Sequence, residues 1–307
     1  MGSFRHLLFG LLLVLLAGCG DSGAADFTAG AVVGEETTSG SPEVVEGSMP
    51  EATIGVAARA AAGETSREPV FIAAEEASGG GGFGADGLLA VRHGVHEGYE
   101  RVVLDLGAGD EPAEGVPEWS LNTPEGDGLL RITLPSVSAT AVSNGALGDG
   151  FLEGFHVVRA PDEGVFVDIL SREAFSYRVI ELTDPARLVV DFESAGTRTD
   201  LPSPSSGGST VLVEPRRGER VSNPLIVSGY SRNFEAANEI VLLDSSGEVL
   251  ARQSVASNDW SATWGHFEAT LDLPEFRGEG TLRVGSPSAR DASFKGVEIP
   301  VYATGQV

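Results

Sequence analysis

Between residues 88 and 301 the apolar residues come in short runs of four to eight, divided by turn signals, and no useful stretch carries the 3.6-residue stripe of a helix. Leu88–Arg92, Tyr99–Leu106, Leu129–Leu134, Phe155–Val158, Val165–Leu170, Tyr177–Leu182 and Leu188–Phe192 form a first set. In Tyr99–Leu106, Val102, Leu104 and Leu106 share one face while Arg101, Val103 and Asp105 share the other, the two-residue period of a strand. Asp127-Gly128, Asp149-Gly150 and Asp184-Pro185 supply turns between runs. A second set follows: Val211–Glu214, Leu225–Tyr230, Glu239–Leu243, Val249–Ser254, Phe267–Leu273, Thr281–Val284 and Val297–Val301. Asp244-Ser245-Ser246-Gly247 reads as a hairpin loop, with Gly at the left-handed position. Both sets predict all-β structure, the first a sandwich or partly open barrel and the second an immunoglobulin-like sandwich without a disulfide.

Composition divides the rest of the chain. Leu201-Pro202-Ser203-Pro204 and the Ser/Gly residues after it have linker character. Residues 19–85 are rich in Gly, Ser, Ala and acids without an apolar period, and end in Ser78 and four glycines. Such a segment cannot bury enough apolar surface to offset chain entropy. It reads as a disordered tether with a span of roughly 40–50 Å. The expected plan is a leader over 1–18, the tether over 19–85, modules over 86–195 and 209–304, and a linker over 196–208.

The leader holds Arg5 and the run Leu7–Leu16, shorter than the roughly 17–25 residues that span a bilayer. It closes in Leu16-Ala17-Gly18-Cys19, which resembles the lipobox of bacterial lipoproteins. That resemblance implies cleavage before Cys19 and diacylglycerylation of its thiol, hence an extracytoplasmic protein lipid-anchored to the outer face of the cell membrane. Cys19 is the one cysteine, so the modules carry no disulfide and no Cys-based zinc site.

The chain has 20 basic and 45 acidic residues, a net charge of −25. Residues 1–85 carry −8, residues 86–200 carry −13 and residues 201–307 carry −4. Phosphate backbones demand clustered basic surface, so nucleic acid is excluded as a partner. A polybasic membrane contact is excluded for the same reason.

Two resemblances attach to specific residues. The segment from His93-Gly94-Val95-His96 through Tyr99, Arg101 and Val103, with Tyr177–Asp191 and its Asp184-Pro185-Ala186-Arg187, resembles the AMIN-like β-barrel family of actinobacterial secreted proteins. The broader AMIN domain localises amidases and secretion proteins to the envelope, and some members are implicated in binding peptidoglycan. Val221–Gly229, Asn233–Ala236, Asp244–Leu250 and Gly265–Leu271 resemble the immunoglobulin-like module of bacterial spore-germination lipoproteins. That module commonly accompanies a germination or sporulation domain, of which this sequence carries no trace.

Candidate site residues lie in both modules. His93 and His96, with Tyr99 and Arg101, mark either a ligand pocket or a loop between strands. Three-residue spacing on an extended segment puts the two histidines on opposite faces, which disfavours shared chelation of a metal. Asp259, Trp260, Trp264 and His266 form either a glycan platform of aromatic faces with polar anchors, or a loop from which a Trp enters the core. No Gly-x-Ser-x-Gly elbow, His-Glu-x-x-His helix or phosphate-cradling Gly-Lys-Ser/Thr occurs, and no catalytic residue, metal or cofactor is expected. The expected function is a non-enzymatic, lipid-anchored protein that binds a cell-wall component, such as peptidoglycan or another wall glycan, or an envelope complex. Its rivals are an assembly lipoprotein acting only through protein partners, related to sporulation or germination by resemblance, and a wall-glycan hydrolase.

Overall fold

Strand follows strand through the computed structural model, which describes residues 70–72, 76–124, 128–198, 202–274, 276–288, 290–291 and 293–303. All of these belong to one unit, Glu64–Val307. The leader, Cys19 and most of the tether lie outside the described residues. Among the described residues no helix is long and apolar enough to cross a membrane.

In chain order the first module contains β1 (Ala77–Gly79), β2 (Gly87–His96), β3 (Tyr99–Ala108), β4 (Glu111–Pro112), β5 (Trp119–Asn122) and β6 (Leu129–Leu134). It continues with β7 (Ala139–Thr140), β8 (Asn144–Ala146), β9 (Leu152–Arg159), β10 (Val165–Ser171), β11 (Glu173–Leu182) and β12 (Arg187–Arg198). The second module contains β13 (Ser205–Gly207), β14 (Thr210–Glu214), β15 (Arg220–Val221), β16 (Leu225–Ser231) and β17 (Ala237–Asp244). Its last strands are β18 (Val249–Ala256), β19 (Trp264–Leu271), β20 (Gly278–Pro287) and β21 (Phe294–Ala303). The all-β expectation holds.

Three sheets build two sandwiches. One sheet runs β11-β12-β3-β2-β7, with β4 on β3; another runs β15-β21-β20-β17-β18. Between them a ten-stranded sheet runs β1-β5-β6-β10-β9-β19-β16-β14-β13, with β8 on β9. Its two halves belong to different modules and join where β9 and β19 pair in parallel, Val158 opposite Trp264 and Arg159 opposite Gly265. Alternation assigns the faces. On β6, Leu130, Ile132 and Leu134 enter the first core; on β10, Val165, Val167 and Ile169 join them. The second core takes Leu212, Val227, Ile240, Phe267 and Ile299.

A third core covers the opposite face of the shared sheet. Leu129, Val158, Phe166 and Leu170 from the first module meet Val211, Val213, Tyr230 and Trp264 from the second. β10 is therefore buried on both faces, every residue of it, which explains why its sequence is a nearly unbroken apolar run.

The module boundaries differ from the sequence-based plan. The segment 196–208 is not a free linker: β12 continues to Arg198 and β13 begins at Ser205. Between them Ser203 Oγ donates to the Ser171 carbonyl at 3.0 Å, and Arg216 Nη1 donates to the Pro202 carbonyl at 3.0 Å. The last tether residues also enter the fold, since β1 pairs with β5 and Ile72 bridges Tyr177. Gly79, Gly80 and Gly82 are required by close approach. A Cβ on Gly80 would lie 1.9 Å from the Pro117 carbonyl oxygen, and Gly80 sits at φ +77°, whereas Gly81 at φ +107° has nothing near its Cβ position. Gly81→Ala meets backbone strain alone and is expected to cost about 1–3 kcal/mol, and Gly80→Ala, which adds a clash to that strain, clearly more. Urea denaturation of both variants checks this; equal losses would defeat the steric account.

Candidate functional site

Arg131 and Asp168 stand opposite one another on β6 and β10, on the face turned away from the first core. The guanidinium donates through Nε and Nη2 to the two carboxylate oxygens at 2.8 Å each, and lies 3.9 Å from the centre of the Phe166 ring. Asp168 is fully buried. Burial works to strip the proton from Arg131; the Asp168 carboxylate more than offsets this, so the guanidinium pKa is raised above its ordinary value. Removing either partner would leave a buried charge uncompensated, at a cost of about 3–5 kcal/mol.

β19 brings His266 to the same place from the second module, its ring 6.3 Å from that of Phe166 and nearly perpendicular to it. Burial, and then the nearby charge of Arg131, lower the His266 pKa, so the imidazole is neutral at pH 7 and can both donate and accept. Together with Thr133, Pro135 and the Pro161–Glu163 turn these side chains line a cavity of about 590 Å³ at the seam of the two modules. That volume lies within the roughly 300–1,000 Å³ of small-molecule sites. The charge around it decides what fits. Arg131 is neutralised by Asp168, while Asp162 and Glu163 add acceptors at the rim. A neutral, hydroxyl-rich or cationic ligand suits this lining; a phosphate does not.

The Tyr230 hydroxyl of the third core, together with His156 Nδ1 and Nε and Nη2 of Arg216, is buried with no hydrogen-bond partner among the described residues. The His156 ring packs 5.1 Å from Tyr230 and edge-on to Trp264 at 4.8 Å. Burial lowers its pKa to about 4, against a weaker upward pull from Asp168.

The residues singled out in the first module are not at this cavity. His93 and His96 fall on opposite faces of β2, as their spacing predicts. His93 Nε2 lies 2.7 Å from Glu100 Oε2, while His96 is exposed and stacks on Tyr99 at 4.7 Å. Arg101 donates to both oxygens of Asp191 at 2.6 and 2.9 Å, and Arg178 donates to the same carboxylate at 2.8 Å. Both guanidinium carbons lie 5.4 Å from the Tyr99 ring centre. Burial of Asp191 opposes ionisation, but the bonds from Arg101 and then Arg178 outweigh it and hold its pKa below the usual carboxylate range. Arg101 is thus part of a charge ladder on the sheet's outer face. Among the described residues no group of three His, Cys, Asp or Glu could hold a metal ion.

The second-module set is divided. Trp264 is 8% exposed within the third core, with its Nε1 directed at Asn144 Oδ1 at 3.3 Å. His266 lines the cavity. Asp259 caps its own loop, accepting from the backbone N–H of Trp260, Ser261 and Thr263. Burial raises its pKa, but these bonds together with that from the Thr263 hydroxyl prevail and depress it strongly. Trp260 faces solvent. Sequence reasoning missed Arg131, Phe166 and Asp168. A signal was present: an aspartate inside the apolar run Val165–Leu170 must find a cationic partner if both faces are buried.

Residues 210–293 match the family described as the immunoglobulin-like domain of bacterial spore germination. The second sandwich is therefore similar to that domain. The matched segment contains Trp264 and His266 but not Arg131 or Phe166, so the cavity is lined from the matched segment and from the module before it. No curated protein and no solved structure matches the chain.

Proposed function

We propose that this chain is a lipid-anchored, extracytoplasmic binding protein that recognises a cell-wall component and catalyses no reaction. The observation that carries the reading is the seam cavity, where Arg131 and Phe166 of one module face His266 of the other. A neutral imidazole, the Thr133 hydroxyl and the Asp162 and Glu163 carboxylates offer hydrogen bonds beside an aromatic ring, the mixture that sugars and wall peptides require. Asp168, the carboxylate beneath the site, is committed to Arg131 through both oxygens. Asp162 and Glu163 are neighbours on one turn, whereas glycoside hydrolysis needs two carboxyl groups flanking the scissile bond. The lipobox-like Cys19 and the AMIN-like first module support an envelope location.

The full chain is expected to sediment with isolated cell walls, and His266→Ala to weaken that association about tenfold, near 1.4 kcal/mol. Failure of the unaltered chain to sediment would overturn the wall-binding reading. The germination-family domain favours a second reading, in which the chain is an assembly lipoprotein acting through protein partners in sporulation or germination. Crosslinking in intact cells separates the two, because only protein recognition gives a recurrent protein adduct.

A further inference from the structure

The turn after β16 holds a large apolar side chain in water by means of strained backbone. Glu235 and Ala236 both adopt left-handed conformations, at φ 55° and 58°, which for residues with a Cβ cost on the order of 1–3 kcal/mol each. A buried polar network keeps them there. Asn233 Nδ2 donates to Thr210 Oγ1 at 2.9 Å and to Asn238 Oδ1 at 2.8 Å. The Ala236 carbonyl accepts from Asn238 Nδ2 at 3.1 Å and from the Ser257 N–H at 3.0 Å. The result is a Phe234 that is 67% exposed.

A second, independently braced loop meets it. The Asp259 cap orders residues 259–263, and Arg232 Nη2 donates to the Ser261 carbonyl at 2.6 Å. This loop presents Trp260, 41% exposed, whose ring meets Phe234 edge-to-face at 5.4 Å. Two rings at nearly a right angle form a rigid corner. Rigid aromatic anchors lose little entropy on binding, which is how they contribute disproportionately to affinity.

The size of the corner decides between occupants. At these exposures the two rings offer roughly 200–250 Å², against about 800 Å² per partner in a stable protein interface. One sugar ring needs only an aromatic face for its C–H groups and polar neighbours for its hydroxyls, here the Ser261 hydroxyl and the exposed Glu235 carboxylate, while Asp259 holds the loop in place. The corner is also fixed to the cavity. Asn258 Nδ2 donates to the carbonyls of Arg159 and Ala160 at 3.1 and 2.9 Å, and Asn258 Oδ1 accepts from the His266 N–H at 2.8 Å. Ala160 and His266 both line that cavity.

We propose that Phe234 and Trp260 form a sugar-ring subsite, and that the ligand is an extended glycan strand running from the seam cavity over this corner. The inference rests on the wall-binding reading and narrows it from any wall component to the polysaccharide.

β-1,4-linked N-acetylglucosamine oligomers of two to six rings, titrated into the full chain, test it. Trp119 and Trp264 are 4% and 8% exposed, so iodide quenching reports on Trp260. Affinity is expected to rise at least tenfold from two rings to six, with Trp260 shielded from iodide by the longer oligomers. Trp260→Ala and Phe234→Ala should each remove that gain without lowering the thermal midpoint, and Trp260→Phe should restore part of it. If the six-ring oligomer binds but Trp260→Ala alters its affinity less than twofold, the corner is not a subsite and the cavity reading stands. If walls sediment the chain but no oligomer binds, the glycan assignment is wrong. If neither walls nor oligomers bind, both readings fall.

Discussion

Trp264→Ala is expected to lower the unfolding free energy by about 3–5 kcal/mol and to split one thermal transition into two. The indole belongs to the third core, not to either sandwich interior, and touches His156 and Tyr230 from both sides of the seam. Among the described residues the sheets of the two modules are joined by only two residue pairs, Val158–Trp264 and Arg159–Gly265. Backbone pairing that short cannot couple two sandwiches on its own; burial of the aromatic cluster must do so. Calorimetry of the variant against the unaltered protein checks both parts. A single transition within about 1 kcal/mol of the original would show that the modules cooperate through some other contact.

The same seam should make the protein sensitive to mild acid. His156 is held neutral with its pKa near 4, and in the unfolded chain it returns to about 6.5. Above the unfolded value neither state binds the proton and His156 contributes no pH dependence. As pH falls below it, the unfolded state takes up a proton that the folded state refuses. Stability therefore drops progressively towards pH 4, by about 3 kcal/mol from this residue. The groups facing it are Asp168 on β10, Asn144 on β8, and Tyr230 and Trp264 from the second module. Only Asp168 carries a charge near neutral pH, and its pull on the proton is the weaker effect. Urea denaturation of His156→Phe between pH 7 and pH 4 should show a loss shallower by about that amount. Parallel curves for the variant and the original would remove His156 as the cause.

Strand positions were legible because a half-buried strand writes its two faces into alternate residues. Val102, Leu104 and Leu106 are buried as that alternation requires, and His93 and His96 part to opposite faces for the same reason. The hairpin at Asp244–Gly247 was legible from local chemistry: Asp244 Oδ1 accepts from the Ser246 and Glu248 N–H groups, and Gly247 takes φ +85°. Gly79, Gly80 and Gly82 misled because composition records flexibility, whereas here glycine provides room. The exposure of Phe234 was not legible, because nothing local announces that its turn is strained outward.

By itself the sequence determined an all-β chain, its two sets of strands, the solitary cysteine at position 19 and the net charge of −25, from which no nucleic-acid partner is expected. Each follows from local pattern or from total charge, which need no knowledge of what lies opposite. Only the tertiary structure decided that the modules share one sheet, that Arg131, Phe166 and His266 line one open cavity, and that Trp264 is interior while Trp260 is not. Those outcomes depend on the second face of each strand. Phe166, Tyr230 and Trp264 could equally have been surface aromatics, and they are buried because two modules distant in sequence each leave one apolar face that only the other can cover.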